Sequence, residues 1–253
     1  PAAVLLPGFP LDRSPPLRTQ FRVRICVIFN PAARGNKARR FRAQLDTIGA
    51  HAALQQTACA GDARRLAAEA VRDGFEVIVA AGGDGTVNEV LNGLSDVPNG
   101  FAQARLGVLP LGTVNVLARE LGLPLAIQPA WAAILRGREL RLDLPWAEWA
   151  TAAGQERRYF AQLGGAGLDA HAIELGSWSL KKKTGPLAYI IAGLQALTQP
   201  APPITVSDGQ TSLTGELVLL GNGRFYGGSY TLFPQASVSD GLSNTLAAAD
   251  SYP

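Results

Sequence analysis

The segment Gly82–Thr86 combines three glycines with an aspartate and a threonine, residue types that can bind phosphate or a metal ion. It follows the apolar run Phe75–Ala80 and precedes apolar residues at helical spacing, so it is predicted to join a buried strand to a helix. Glycine permits a sharp turn and a close approach of phosphate to backbone N–H groups, and the N-terminus of the helix carries partial positive charge. Asp84 is placed to hold a metal ion or to activate a hydroxyl, and Thr86 to cap the helix or bind phosphate.

The alternative interpretation of this segment is an ordinary tight turn with Asp84 or Thr86 as a helix cap. No GK[ST] step follows the glycines, so the pattern is not a P-loop. The spacing is not GxGxxG either, so a dinucleotide-binding Rossmann turn is not supported.

A second turn of the same kind lies at Gly112, between the strand-like run Leu106–Leu109 and another helical pattern. Ligands of open parallel sheets bind outside the carboxyl ends of the strands, so the two turns are expected to converge on one crevice. Thr113 and Asn115 offer hydrogen bonds to phosphate or ribose. In the simpler interpretation, Thr113 is only the N-cap of the helix that follows.

The elements that position these turns alternate between strand-like and helical patterns, which predicts a parallel sheet built from right-handed βαβ units. After that region, short strand-like runs dominate and one helical pattern, residues 187–197, interrupts them. The predicted fold class is α/β, with a parallel α/β nucleotide-binding domain followed by a mostly antiparallel β domain that contains an inserted helix. The expected boundaries are a disordered leader at 1–20, the nucleotide-binding domain at 21–125 and the β domain at 126–253.

Composition narrows the possible classes of function. The chain has 253 residues, of which 47% are hydrophobic, and a formal net charge of only +3. No dense basic block with interleaved aromatic residues is present, so no nucleic-acid partner is expected. No apolar run reaches about 18 residues, so no transmembrane segment is expected. Cys26, inside an apolar run, is interpreted as a core residue, and a cytoplasmic location is expected.

The paired motifs GGDGTVNEV and PLGTVNVLARELGLP resemble the diacylglycerol kinase catalytic family, which also contains sphingosine kinases and bacterial lipid kinases. Asn30 with Pro31 resembles that family's first turn, and Thr57 with Gly61–Ala63 resembles its T…GDA step. The similarity spans about Phe21–Leu242, whereas GGDG alone is shared with NAD kinases and, more loosely, with phosphofructokinases. The resemblance implies a peripherally membrane-associated enzyme that transfers the γ-phosphoryl group of ATP to a lipid hydroxyl. A homodimer is an open alternative for its oligomeric state.

The two turns and the resemblance together define a set of predicted site residues. The predicted nucleotide-binding residues are Asn30, Thr57, Gly82, Gly83, Asp84, Gly85, Thr86, Asn88, Gly112, Thr113 and Asn115. Asp84 is also the predicted catalytic residue. The resemblance further implies a structural Mg²⁺ site, bound by the Asp240 carboxylate and by the backbone carbonyls of Ser237 and Leu242, and oxygen ligands suit this ion. Without the family, Asp240 and Gly241 would be interpreted as a hairpin turn.

The sequence departs from the family pattern after Leu242. The resemblance implies an apolar strand, a returning helix and an acidic general base in that region, and residues 243–253 do not match them. The β domain is therefore expected to be truncated, without that strand and without the distal base. Two alternatives stay open: an NAD kinase-like enzyme, against which the PLGTVNVLAR segment argues, and a catalytically inactive nucleotide-binding homologue.

Overall fold

The computed structural model describes residues 2–6, 23–31, 36–152, 154–167 and 203–248. The chain divides into two compact units, residues 1–162 with 223–241, and residues 163–222 with 242–253. The first unit begins with β1 (Ala2–Leu6), β2 (Ile25–Phe29), α1 (Asn36–Arg42), α2 (Leu45–Gly49), β3 (Ala53–Gln56), α3 (Asp62–Arg72), β4 (Val77–Gly82), α4 (Asp84–Ser95), α5 (Gly100–Gln103), β5 (Arg105–Pro110), α6 (Val116–Glu120), α7 (Ile127–Arg136), β6 (Arg138–Leu142), β7 (Trp146–Thr151) and β8 (Gly154–Tyr159). The chain continues with β9 (Leu163–Gly167), β10 (Ile204–Ser207), β11 (Ser212–Gly215) and β12 (Leu217–Gly221) in the second unit, β13 (Phe225–Tyr226) and β14 (Tyr230–Thr231) in the first, and β15 (Asn244–Ala248) in the second.

The first unit is built on a six-stranded sheet with the strand order β3-β2-β4-β5-β1-β6. Neighbouring strands from β3 to β1 are parallel, and β6 is antiparallel to β1. The parallel sheet confirms the fold class expected from the alternation of strands and helices.

Both faces of this sheet are buried, which explains why its central strands are continuous apolar runs. In β4, Ile78 and Ala80 face one hydrophobic cluster together with residues of α3, α4 and α6. Val79 and Ala81 face the opposite cluster, which includes Trp131 of α7. This alternation follows from the two-residue period of a strand and gives a layered arrangement of helices, sheet and helices.

The structure differs from the sequence-based expectations at both ends of the first domain. Residues 2–6, expected to be part of a disordered leader, form β1, which lies between β5 and β6. The segment is apolar and pairs with strands about a hundred residues away in sequence, so no local pattern indicated its place. The strand β6, expected in the β domain, belongs to the first sheet, and the first compact unit extends beyond the expected boundary at residue 125.

The second unit contains a three-stranded antiparallel sheet with the order β15-β12-β9 and the two-stranded pair β10-β11. The expected antiparallel β character is thus confirmed. The expectation that no strand follows Leu242 is wrong, because Asn244–Ala248 forms β15 and pairs along its whole length with β12. The strand β15 contains the apolar residues Leu246, Ala247 and Ala248, which suffice for pairing with its buried neighbour β12. The predicted inserted helix, 187–197, lies outside the described residues.

Two further expectations concern the described part of the chain. None of its helices combines the length and the apolar character that crossing a bilayer requires. Cys26 is fully buried in the core, and burial, with a smaller effect of the Asp73 charge, raises the pKa of its thiol to about 12. A thiol with such a pKa is unreactive at neutral pH, as expected for a core residue.

Candidate nucleotide-binding site

The candidate site lies where four parallel strands end at one edge of the sheet. The pairing of β2 with β4 ends at Phe29 and Ala81, and the pairing of β4 with β5 ends at Gly82 and Pro110. Thr57, directly after β3, donates its backbone N–H to Phe29 O at 2.9 Å. The carboxyl ends of β3, β2, β4 and β5 therefore bring the predicted residues Asn30, Thr57, Gly82 and Gly112 to the same edge, each at a strand end or within two residues after it.

The first glycine turn connects β4 to α4 with very little space around its backbone. A Cβ atom on Gly82 would overlap the side chain of Thr86, so only glycine fits there. Gly83 precedes α4 in an extended conformation, and its carbonyl accepts the first helical hydrogen bond, from Val87 N at 3.1 Å. The N–H groups of the first turn of α4 thus point out of the helix beside the glycines, an arrangement that binds anions.

Gly85 differs from the other glycines of this turn because it is exposed and has open space around it. Apart from its two chain neighbours and the backbone of its own helix, no atom lies within 4 Å of the position that a Cβ on Gly85 would occupy. Neither crowding nor an unusual backbone conformation in the protein itself requires glycine here. A bound phosphate group approaching the backbone would supply such a requirement.

The second glycine turn contacts the first directly. The N–H groups of Leu111 and Gly112 donate to Gly82 O at 2.9 Å and 3.2 Å. A Cβ on Gly112 would lie only 2.5 Å from the Cα atom of Gly83, so the two backbones touch because both residues are glycine. The predicted convergence of the two turns is therefore confirmed.

Asn115 is a structural part of this second turn. It adopts a left-handed conformation (φ 55°), is 3% exposed, and its Nδ2 donates to Gly112 O at 2.7 Å. Its Oδ1 is buried and has no hydrogen-bond partner among the described residues. Asn115, and not Thr113, is the N-cap residue of α6, so the simpler interpretation of Thr113 as that cap is wrong. Thr113 is exposed at the tip of the turn.

The Asp84 carboxylate joins the two turns electrostatically. Its Oδ1 accepts a hydrogen bond from the backbone N–H of Val116, the first residue of α6, at 2.7 Å. A carboxylate at the start of a helix satisfies an otherwise unpaired N–H group and interacts favourably with the helix dipole. The same aspartate opens α4, so one side chain fixes the relative position of both helix N-termini.

Two further carboxylates bind backbone N–H groups in the loop that follows β3 and at the start of α3. Asp62, the first residue of α3, accepts hydrogen bonds at its Oδ2 from the backbone N–H groups of Ala58 and Cys59 in the loop, at 2.7 Å and 3.1 Å. These hydrogen bonds hold the pKa of Asp62 below its usual value. The start of α3 is capped by Glu89 of α4, whose Oε2 accepts from Ala63 N at 3.0 Å. Sequence reasoning missed Glu89 because this contact spans 26 residues.

Asn88, Asn92 and Lys37 complete the surroundings of the turns. Asn88 is exposed, and its backbone and side-chain oxygens accept from Asn92 Nδ2 at 2.9 Å and 3.2 Å. Lys37 of α1 donates its ammonium group to Pro110 O at 3.4 Å, which places a positive charge at the carboxyl edge of the sheet. Lys37 was not predictable from the sequence, since a lysine in a polar helix carries no distinctive signal.

The predicted Mg²⁺ residues are placed as follows. Ser237 and Asp240 belong to the first unit and Leu242, which is 66% exposed, to the second. Gly241 follows Asp240 in a left-handed conformation (φ 75°) and donates its N–H to Asp143 Oδ2 at 2.6 Å, while Asp143 N donates to Val238 O at 2.8 Å. Asp143, which sequence reasoning missed, therefore shapes this turn.

The chemistry of these donors fits a hard cation. Carboxylate and carbonyl oxygens are the ligands that Mg²⁺ prefers. No group of three or more His, Cys, Asp or Glu side chains able to hold a metal ion occurs in the described residues. An ion at this turn would thus depend on backbone oxygens beside the carboxylate.

A parallel α/β fold with two joined glycine turns at the carboxyl edge of its sheet is typical of proteins that bind phosphate groups, and comparison with known proteins specifies the family. Residues 24–146 match the diacylglycerol kinase catalytic domain, and residues 164–250 match the YegS C-terminal NAD kinase beta sandwich-like domain. The chain therefore belongs to the diacylglycerol kinase catalytic family and is an ATP-dependent lipid kinase, as the resemblance implied.

Individual relatives support this assignment. The chain is 34% identical to a diacylglycerol kinase of Staphylococcus saprophyticus over 228 residues, which cover 87% of this chain and 71% of the relative. It is 33% identical to a diacylglycerol kinase of Staphylococcus aureus over the same length, covering 69% of that protein. A solved structure of a diacylglycerol kinase from Bacillus anthracis shares the fold, with a TM-score of 0.64 and 24% identity over 92% of this chain and 76% of that one.

Proposed function

We propose that this lipid kinase transfers the γ-phosphoryl group of ATP to the free hydroxyl of a diacylglycerol, and that the two glycine turns bind the triphosphate. The observation that carries the proposal is the direct backbone contact between Gly83 and Gly112, which brings the two glycine turns together at one edge of the sheet. Phosphoryl transfer depends mainly on positioning and on charge stabilisation, and backbone N–H groups at helix N-termini provide both.

The roles of the remaining residues follow from their placement. The exposed Gly85 and Thr113 and the half-buried Thr86 offer N–H and hydroxyl donors to phosphate oxygens. Asn30 and Thr57, at the ends of β2 and β3, extend the site along the sheet edge and would contact the rest of the nucleotide. Lys37, directed at the end of β5, would compensate part of the phosphate charge.

Asp84 is the proposed catalytic residue. With Oδ1 engaged by Val116 N, the carboxylate is held in a fixed orientation, and Oδ2 accepts no hydrogen bond from the described residues. That second oxygen would hold a metal ion or orient the acceptor hydroxyl. When bound, Mg²⁺ would neutralise phosphate charge, and the turn at Ser237, Asp240 and Leu242 would hold a second, structural Mg²⁺ ion.

Diacylglycerol is favoured as the acceptor because the relatives at 33–34% identity bear the name diacylglycerol kinase. A lipid acceptor also implies peripheral contact with a membrane surface, since its hydroxyl lies in the headgroup region. An NAD kinase-like activity would also fit the GGDG turn, but the PLGTVNVLAR segment argues against it.

The test is a substrate panel with γ-labelled ATP and Mg²⁺. The purified chain is assayed with diacylglycerol, phosphatidylglycerol, a sphingoid base, undecaprenol and NAD, and the products are separated by chromatography. Labelled phosphatidic acid from diacylglycerol is the expected result. Preferential labelling of another acceptor by the wild-type chain would refute the substrate assignment, and an unchanged rate in an Asp84→Ala variant would refute the proposed catalytic role of that residue.

A further inference from the structure

The hairpin formed by β13 and β14 presents two tyrosine side chains to solvent. Tyr226 and Tyr230 are directly opposite each other in the register, so their side chains lie on the same face of the hairpin. Tyr226 is 40% exposed and Tyr230 is 77% exposed, the highest exposure of any large hydrophobic side chain in the described residues. A contiguous exposed apolar patch on a protein surface often marks a site of contact with a membrane or another protein.

The base of this aromatic hairpin, residues 224–232, is firmly attached to the first unit. The side chain of Glu120 in α6 is 3% exposed, and its carboxylate accepts from the backbone N–H groups of Arg224 and Phe225 at 2.8 Å and 3.2 Å. It also accepts from Arg224 Nε at 2.8 Å and from Gln162 Nε2 at 2.9 Å. Because these bonds fix the first strand of the hairpin, the tyrosines are presented from a rigid support.

The aromatic hairpin lies next to the second glycine turn. A Cβ atom on Gly228, at the tip of the hairpin, would be 3.6 Å from Cγ1 of Val114, the residue after Thr113. Gly228 has a φ of 133°, which few other residues adopt, so the tip is shaped to fit against the turn. The two tyrosines are thus carried by the element adjacent to the proposed phosphoryl-transfer site.

The charge of this surface complements an anionic lipid bilayer. No aspartate or glutamate occurs in the sequence between Glu216 and Asp240. Arg119 is exposed and contacts the same turn, its Nε donating to Val114 O at 2.9 Å, and Arg224 is 45% exposed. Glu120, at the base of the hairpin, is buried and compensates the charge of Arg224, so Arg119 supplies the positive charge of this surface.

We infer that the aromatic hairpin is the surface by which the protein docks on the lipid bilayer, with Tyr226 and Tyr230 inserted at the headgroup level and Arg119 facing anionic headgroups. Tyrosine suits this position because its ring is apolar and its hydroxyl remains hydrated, and basic residues near an anionic leaflet add electrostatic attraction. The inference rests on the proposed function, since a diacylglycerol hydroxyl must reach the glycine turns from the bilayer. Docking beside Val114 would bring that hydroxyl to the site.

The inference is tested with a Tyr226→Ser/Tyr230→Ser double variant of the full chain. Co-sedimentation is measured with vesicles of phosphatidylcholine containing phosphatidylglycerol, and with vesicles of phosphatidylcholine alone. Kinase activity is measured on diacylglycerol in vesicles and on a water-soluble short-chain diacylglycerol. The matched control is Trp146→Ser/Trp149→Ser on the hairpin of β7 and β8, where the two indoles are 49% and 41% exposed.

The tyrosine variant is expected to bind anionic vesicles at least about tenfold more weakly, as removal of two aromatic rings from a membrane interface implies. Its activity on vesicle-borne diacylglycerol should fall in parallel, while its kcat on the short-chain lipid stays at the wild-type value. The tryptophan control should match the wild type in every assay. Vesicle binding by the tyrosine variant equal to that of the wild type overturns the inference.

Two measurements keep the outcome clear. If the double variant misfolds, a Tyr230→Trp variant is used in its place, because Tyr230 is 77% exposed and tolerates substitution. The fluorescence emission added by the new tryptophan should shift to shorter wavelength when vesicles are present. The absence of this shift would contradict docking. If the wild type phosphorylates no diacylglycerol in either form, the proposed substrate is wrong, and the sedimentation result still decides whether the hairpin docks. Equal loss of activity on both lipids with unchanged sedimentation would instead make the hairpin part of the catalytic site.

Discussion

Asp84 and Val116 are 32 residues apart in sequence, yet the aspartate Oδ1 accepts the Val116 N–H at 2.7 Å. This bond ties the start of α4 to the start of α6 and therefore holds together the two glycine turns that precede those helices. Asp84 consequently has two separable roles, one in positioning the turns and one, proposed above, in catalysis. A substitution that keeps the oxygen acceptor but removes the charge distinguishes them.

We predict that Asp84→Asn folds like the wild type but loses at least about a hundredfold in kcat, a typical loss for a residue in general acid–base chemistry. The asparagine oxygen can still accept from Val116 N, whereas its neutral amide cannot hold a metal ion or orient a hydroxyl equally well. Thermal unfolding and initial rates over a range of Mg²⁺ concentrations are the measurements. Asp84→Ala is the matched variant, and it should also lower the melting temperature. Wild-type kcat in Asp84→Asn would show that the charge is not catalytic.

The two kinds of glycine in the site predict opposite outcomes for substitution by alanine. In Gly112→Ala the new Cβ would be 2.5 Å from the Gly83 Cα, so backbone displacement should cost about 1–3 kcal/mol of stability. In Gly85→Ala the new Cβ meets no protein atom, so stability should be unchanged or slightly higher. ATP affinity should nevertheless fall about tenfold or more, equivalent to about 1.4 kcal/mol, because the methyl group occupies phosphate space.

Calorimetry of ATP binding and of thermal unfolding on these two variants separates packing from ligand contact. Gly122→Ala is the control. Gly122 has a positive φ of 63° and lies outside the site, so this substitution strains the backbone without affecting the glycine turns. It should lower stability with no change in ATP affinity of the folded protein. Unaltered ATP affinity in Gly85→Ala would remove Gly85 from the phosphate-binding residues.

The local part of this architecture was predictable from the sequence. Buried strands such as β4 are short apolar runs, and Gly82 and Gly112 mark the turns at their ends, so both the sheet and the convergence of the turns followed from general rules. The assignment of a lipid kinase depended on the paired motifs, since GGDG alone is shared with other kinases.

The non-local part was not predictable, for physical reasons. The strand β1 is identified by its pairing with β5 and β6, and an apolar pentapeptide between prolines does not reveal distant partners. Likewise, Asp84 appeared as a possible cap of its own helix but caps α6, and Asp62 binds the loop before its helix. In each case the carboxylate predicts a hydrogen bond to a backbone N–H group, but only the tertiary structure determines which N–H group that is.

Asn92 provides a test of how α4 is supported. It is 2% exposed, its Nδ2 donates to Tyr159 O at 3.0 Å, and its Oδ1 accepts from Tyr159 N at 2.9 Å, so one side chain pairs with both backbone polar groups of Tyr159, the last residue of β8. Asn92→Leu has similar volume but leaves two backbone groups unpaired, which should cost about 2–5 kcal/mol. Denaturant unfolding is the measurement, with Ser95→Ala as control, because Ser95 makes only a hydrogen bond to Asn92 O. Equal stability of Asn92→Leu and Ser95→Ala would refute this support.

The Glu120 carboxylate predicts a pH dependence of stability. Burial by itself would raise its pKa, but hydrogen bonds from Arg224 and Gln162 outweigh that effect and hold the pKa below the ordinary value of 4.5. A carboxyl whose pKa is depressed by folding stabilises the protein above its unfolded pKa, and this contribution is lost as the pH falls through the folded pKa. The contribution of Glu120 should therefore be complete at neutral pH and decline only below 4.5.

Glu120→Gln should thus unfold at a lower temperature than the wild type at pH 7, by an amount corresponding to about 1–3 kcal/mol for lost charge-assisted hydrogen bonds. The difference should shrink as the pH is lowered below 4.5, because the wild-type carboxyl then becomes neutral as well. Glu148→Gln is the control, since Glu148 pairs with Arg157 at the surface with 37% of its side chain exposed and should contribute little. Melting temperatures of the three proteins across pH 3 to 8 are the measurement. A gap between wild type and Glu120→Gln that is constant over this range would show that the Glu120 charge does not hold the aromatic hairpin to α6.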